Sequence, residues 1–187
     1  IRGELEDRVQ LPRIYYGWHI PPYGDEAWYA ADLLTSVLTE GRSSPLVRDL
    51  VTKRQMARDV SAYVYPTEAT GMLYLQATCS PDVAIEDLEA AIDEHLDGVM
   101  RQPPKADHLA RAKNRVLTGH YNALQSLERR SDMLARCATY LGDPGRAETE
   151  AEVYDRLDAE AVWRTAALLR PDARVALRVV PKREEAA

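Results

Sequence analysis

Phenylalanine is absent from this 187-residue chain, and cysteine occurs only twice, at Cys79 and Cys137. Two cysteines so far apart form no CxxC pair, which excludes a cysteine-rich zinc ribbon and gives no reason to infer an oxidising compartment. Cys79 sits in a strand-like run and Cys137 on an apolar helical face, so both are expected to be small buried hydrophobes. No apolar run nears the roughly 20 residues of a membrane helix, so a soluble chain, cytoplasmic or periplasmic, is expected, with no membrane partner. Excess positive charge is also missing. Lys and Arg total 24 against 30 Asp and Glu, and the net charge of -6 argues against a nucleic-acid partner tracked through its phosphates. No GxSxG elbow, GxxxxGK[ST] loop or GxGxxG turn is present. The chain begins at Ile1, without a charged-then-apolar leader, and reads as a piece of something longer or a processed product.

What is present is ordinary globular material. Apolar residues make up 45% and charged residues 29%, which excludes wholesale disorder. A folded chain of this length buries roughly 70% of the surface it would expose unfolded, enough to hold without disulfide or metal staples. No composition shift, repeat or long linker divides it, so residues 1–187 are expected to form a single domain. Residues 182–187 lack periodicity and are expected to fray. The ten tyrosines will need hydroxyl partners wherever they are buried.

Four segments alternate with period two and read as strands. The apolar parities are Ile14, Tyr16, Trp18 and Ile20; Val60, Ala62 and Val64; Leu73, Leu75, Ala77 and Cys79; and Val175, Leu177 and Val179. The opposite parities carry Tyr15 and His19, Tyr63 and Tyr65, Tyr74, Gln76 and Thr78, and Arg174 and Arg178. The turn-rich residues 66–71 suit an antiparallel hairpin. Helical periodicity covers Asp25 to about Thr39, with Gly41 placed as a left-handed stop, and a helix capped by Ser44-Pro45 that runs to about Met56. Further helices are expected over Asp82–Met100, from Leu109 to Leu127, and over about Glu128–Leu141, Glu148–Tyr154 and Ala159–Leu169. Half-buried strands of this kind predict an α+β, two-layer domain. Its sheet is mostly antiparallel, has at least four strands, and carries helices packed on one face.

The four histidines assemble no metal site by spacing. Glu94-His95 has the ending of HxxEH, but Ala91 stands where the first histidine belongs, so the pair reads as chance at a solvated helix edge. His120, on an apolar stripe, is expected to be a core histidine with a satisfied hydrogen bond, and His108 to lie at the surface. His19 shares the tyrosine-bearing parity. Gly41-Arg42-Ser43-Ser44 reads as a helix stop followed by an N-cap rather than an anion nest.

Several stretches together resemble a known family. They are Arg8-Val9-Gln10-Leu11-Pro12-Arg13 and Gly41-Arg42-Ser43-Ser44-Pro45-Leu46, then Arg111-Ala112-Lys113-Asn114, Tyr140-Leu141-Gly142-Asp143-Pro144 and the closing Val179-Val180-Pro181. In this order and spacing, from about Asp7 to Pro181, the chain is similar to the C-terminal-type domain of the pitrilysin/insulinase zinc metallopeptidases, the type lacking the HxxEH metal site. The resemblance implies a proteolytic unit of homologous domains around a chamber, with zinc held by HxxEH and a distal glutamate in another domain. In that family the motif occupies the first helix, here Asp25 to Thr39, which contains no histidine. A fragment of a longer peptidase is thus implied, with no cofactor in this chain and zinc in a partner catalytic domain.

The resemblance further implies that some second-half domains contact substrate through an arginine and a tyrosine seven residues later. The matching positions here are Val51 and Arg58. Val51 cannot donate a charged hydrogen bond, and Arg58 offers a guanidinium in place of a phenol. Arg54 or Arg58 remain able to touch a carboxylate or carbonyl of the substrate. Tyr63, Tyr65 and Tyr74 are expected to face the chamber or an adjoining domain, a surface suited to extended peptides. The expected function is that of a non-catalytic domain of a zinc-dependent endopeptidase, inactive alone, enclosing a peptide substrate beside a homologous zinc-bearing domain in the same chain or a partner subunit. The alternative is an architectural subunit of a complex that has lost proteolysis.

Overall fold

Ile14, Tyr16, Trp18 and Ile20 turn to one side of a central strand and are almost fully buried there. In chain order the computed structural model, which describes residues 1–182, has strands β1 (Arg2–Asp7), β2 (Arg13–Ile20), β3 (Ala57–Tyr65), β4 (Gly71–Cys79) and β5 (Arg174–Pro181). They form one sheet in the order β1-β5-β2-β4-β3. β2 runs antiparallel to β4 and β5, and β3 antiparallel to β4, while β1 pairs parallel with β5. Val60 and Ala62 of β3, and Leu73, Leu75, Ala77 and Cys79 of β4, join the β2 residues on the covered face. Gly71, where β4 begins, has no room for a side chain. A β-carbon there would lie 2.5 Å from the Pro21 carbonyl oxygen and 2.9 Å from the Trp28 ring.

The helices are α1 (Glu26–Thr39), α2 (Ile85–Arg101), α3 (Ala106–Leu124), α4 (Leu127–Leu141), α5 (Arg146–Arg156) and α6 (Ala159–Ala166). They pack on one face of the sheet, as the alternation predicts. Asp25 caps α1 by accepting from the Ala27 amide at 2.8 Å, and Gly41 closes its end at φ 85°. α1 is buried on nearly all sides because it lies between β3 on the sheet and the outer helices α3, α5 and α6.

The structure corrects several expectations. β1 was not anticipated. It is an edge strand, exposed along its whole length, so burial imposes no alternation on its sequence. In β5 the expected parity is inverted. Register with β2 sets Arg174, Ala176 and Arg178 beside Trp18, Tyr16 and Ile14 on the helix-covered face, leaving Val175, Leu177 and Val179 on the other. Ion pairs of Arg174 with Asp93, and of Arg178 with Glu86 and Glu89, hold β5 to α2 in this register.

The helix after Gly41 ends at Lys53 rather than Met56 and widens to π geometry over Val47–Lys53. Its Ser44 hydroxyl donates back to the Gly41 carbonyl at 2.7 Å, so it does not cap the helix by accepting an amide. α2 begins at Ile85, after Asp82 has turned through φ 64°. Leu127, expected on the α3 stripe, instead opens α4 and is 86% exposed. α5 is longer than expected, and α6 passes into a 3-10 turn at Ala167–Leu169. In the expected frayed end, the Lys182 amide donates to the Asp7 carbonyl at 2.9 Å, and residues 183–187 lie outside the described residues.

Candidate functional site

Side chains of opposite parity to the core stand on the uncovered sheet face. Register places Tyr63 of β3 opposite Tyr74 of β4, and Tyr65 opposite Met72. The Tyr63 and Tyr74 rings stack with centroids 5.4 Å apart and planes inclined by 27°. Tyr63 is 45% exposed and Tyr65 58%, while Tyr74 is half-buried. Next in the sheet comes Gly17 of β2, and a β-carbon there would touch Met72 and Tyr74 at 3.6–3.8 Å. Tyr15 and exposed His19 lie on the same face, continued on β5 by Val175 and Leu177. The result is a broad, tyrosine-rich surface with an apolar flank, and no helix crosses it among the described residues.

The arginines lie elsewhere. Arg54 follows the π-helical turn and is drawn into ion pairs with Asp49 (3.6 Å) and Glu94 (3.5 Å). His95, expected at a solvated edge, instead bonds through Nε2 to Asp49 Oδ2 at 2.8 Å, tying α2 to the π-helical turn. The His95 hydrogen bond, with Arg54 beside it, holds the Asp49 carboxyl below the usual carboxylate range. Arg58 is exposed at the β-bulge of edge strand β3, where the register slips between Ala57 and Asp59. Among the described residues it has no carboxylate partner. The structure therefore brings the three tyrosines together and leaves Arg54 in a separate, helix-side cluster.

A buried polar network, unread in the sequence, joins α1, α4 and α5. Glu150 accepts from Tyr29 (3.1 Å), from Arg136 (3.3 Å) and from Tyr23, whose hydroxyl also accepts from Arg136 Nε at 3.2 Å and meets Cys137 Sγ at 3.4 Å. Tyr154 donates to Asp32 at 2.7 Å. His120 departs from expectation. Its Nε2 is buried with no hydrogen-bond partner among the described residues, and burial lowers its pKa. His108 is half-buried rather than on the surface.

On a helix carrying no histidine, the hydroxyls of α1 are already engaged, Tyr29 with Glu150 among them. Thr35 donates to the Asp32 carbonyl, Ser36 to Glu40, and Thr39 to the Thr35 carbonyl while accepting the Ala62 amide. Among the described residues no three of His, Cys, Asp and Glu converge as ligands. The residues of α1 do not fit a zinc ion.

Comparison with known proteins bears on this arrangement. The family model described as the peptidase M16 inactive domain matches residues 2–116. No curated protein sequence matches the chain. In structure it is similar to a protease from Helicobacter pylori, with a TM-score of 0.87 at 18% identity, over 96% of this chain and 44% of that one. It is similar to the inactive peptidase domain of a candidate zinc protease from Bordetella parapertussis, with a TM-score of 0.85 at 20% identity, over 98% and 97%. A chain of complex III2 from Candida albicans also matches, with a TM-score of 0.81 at 14% identity, over 96% and 45%. The chain thus spans less than half of the Helicobacter and Candida chains. At these identities the likeness establishes the fold.

Proposed function

The chain belongs to the peptidase M16 inactive-domain family, and from that premise we propose that it is the zinc-free part of a longer zinc-dependent endopeptidase. It closes part of the space around a peptide, while a homologous zinc-bearing domain, in the same chain or a partner subunit, carries out hydrolysis. The observation that carries this reading is α1 itself, a helix without imidazoles whose hydroxyls are already bonded. Zinc in the other domain would supply the activated water. The share of this chain is surface. Tyr63, Tyr65 and Tyr74 offer apolar area with hydroxyls at small entropic cost, which suits peptides of varied sequence. Arg58, exposed at the β3 bulge and without a carboxylate partner among the described residues, is the better placed of the two arginines to meet a substrate carbonyl or carboxylate. Arg54 would first have to leave Asp49 and Glu94.

A second reading, an architectural subunit of a complex without proteolysis, is favoured by one observation, the likeness to a chain of Candida complex III2. One experiment separates the two. The chain purified alone is expected to carry no stoichiometric zinc and to leave a quenched peptide intact. Mixed with the HxxEH domain encoded upstream or in a neighbouring gene, it should raise chelator-sensitive cleavage about tenfold over that domain alone, near 1.4 kcal/mol of barrier. Equal cleavage with and without this chain would overturn the enclosing role. Absence of any HxxEH domain nearby would favour the architectural reading.

A further inference from the structure

On the helix side of the molecule, away from the tyrosine face, a groove of about 350 Å³ opens between the C-terminal half of α1, the start of the π-helical turn and the end of α2. This is within the size range of small-ligand pockets. Its apolar lining is offered by half-buried Val99 of α2 and by Pro45, with Leu34 and Leu38 of α1 almost fully buried behind them, and Pro103-Pro104 gives it a stiff lip.

Two features separate this groove from an ordinary surface crease. The first is Gly98. A glycine inside a helix costs about 1 kcal/mol relative to alanine, yet nothing in the packing requires one here. A β-carbon at Gly98 would meet no atom within 4 Å outside the helix backbone. The glycine keeps the groove open where any side chain would enter it. The second is charge. On a chain with net charge -6, the rim carries Arg48 and Lys105, both exposed and, among the described residues, without a carboxylate in ion-pair range. The one acidic residue of the lining, Glu94, already faces Arg54 at 3.5 Å. The rim is thus left with two uncompensated cations above an apolar floor.

We infer that this groove binds a small amphipathic monocarboxylate, an alkyl chain with one anionic head. The tail lies along Val99, Pro45 and Pro104 past Gly98, and the carboxylate sits between Arg48 and Lys105. The apolar floor supplies the affinity, and the two cations select the charge of the head. The inference stands independently of the domain's part in proteolysis.

Calorimetric titration of the full chain with decanoate, below its micelle concentration, tests this against decanol. Decanoate is expected to bind at one site per chain, about tenfold tighter than decanol. The Arg48→Glu/Lys105→Glu variant should lose that preference while still binding decanol. Gly98→Leu should abolish binding of both. It replaces a helix-interior glycine with a better helix former, its β-carbon meets no neighbouring atom and the rest of its side chain enters the open groove, so its thermal midpoint should be no lower than the parent's. Equal binding of decanoate and decanol, undiminished binding by a folded Gly98→Leu chain, or no decanoate binding up to about 1 mM would each overturn the assignment. So would preferential binding of a short apolar peptide acid over decanoate.

Discussion

Tyr154 donates to Asp32 at 2.7 Å, which favours the carboxylate, yet burial outweighs it and the Asp32 carboxyl is pushed up to about 6. Glu40 and Glu150 add to the rise, and Arg136 opposes it. A carboxyl whose folded pKa lies above its unfolded value of 3.8 favours the folded state most fully below that value, and the benefit fades as pH rises through about 6. At pH 8 the buried charge is a standing penalty. Asp32→Asn keeps an oxygen to accept from Tyr154 and removes the charge. Relative to the parent it should gain up to about 3 kcal/mol in stability between pH 4 and pH 8, as read from urea midpoints. A pH-independent difference between the two proteins would show that Asp32 is ionised at no unusual cost. Burial likewise pushes the Cys79 thiol up to about 11, which leaves it an inert core residue.

Among the elements, β5 and α2 are joined by ions as well as by packing. Arg174, its side chain only 2% exposed, forms two parallel bonds to Asp93 at 2.6 and 2.8 Å and lies 3.8 Å above the Tyr16 ring. Arg178 reaches Glu86 at 2.6 Å and also Glu89, which Arg2 of β1 approaches at 3.5 Å. Arg174→Met should cost about 3 kcal/mol, near the low end for a broken buried pair because Asp93 keeps partial access to water. Adding Asp93→Leu should recover most of that loss in denaturant titration, since no charge is then stranded. A loss below about 0.5 kcal/mol in the single variant, the range of ordinary surface substitutions, would mean the pair is incidental.

This seam also explains what could be read from the sequence and what could not. In β2 and β4, one parity is apolar and the other is not, so alternation alone located the core. In β5, Val175, Leu177 and Val179 compete with Arg174, Ala176 and Arg178, and hydrophobicity chose the wrong side. The winning side depends on carboxylates of α2 that are distant in sequence. The same blindness hid Glu150 and Asp32, because an acid on a helix looks solvated until its phenol and guanidinium partners are in place. The tyrosine parity of β3 and β4 was legible. The separation of Arg54 from it was not, since helix–helix ion pairs leave no periodic trace.

For the whole molecule, the asymmetry of the sheet is the property that matters. One face is covered by helices. The other offers Tyr63, Tyr65 and Tyr74, with Val175 exposed beside them, and carries no helix among the described residues. Replacing the three tyrosines with serine should cost the chain alone about 1–3 kcal/mol without unfolding it, from the Tyr63–Tyr74 stack and the covered half of Tyr74. Assembled with a zinc-bearing domain, the variant should raise KM for a peptide about tenfold, near 1.4 kcal/mol of lost contact, with kcat and the affinity between domains unchanged. That pattern belongs to a wall that holds substrate equally in the ground and transition states. If domain association weakened instead, with KM unchanged in whatever complex still formed, the same tyrosines would be mortar between domains. The peptide would then have to be enclosed by another surface, with Arg58 at the β3 edge the next residue to test.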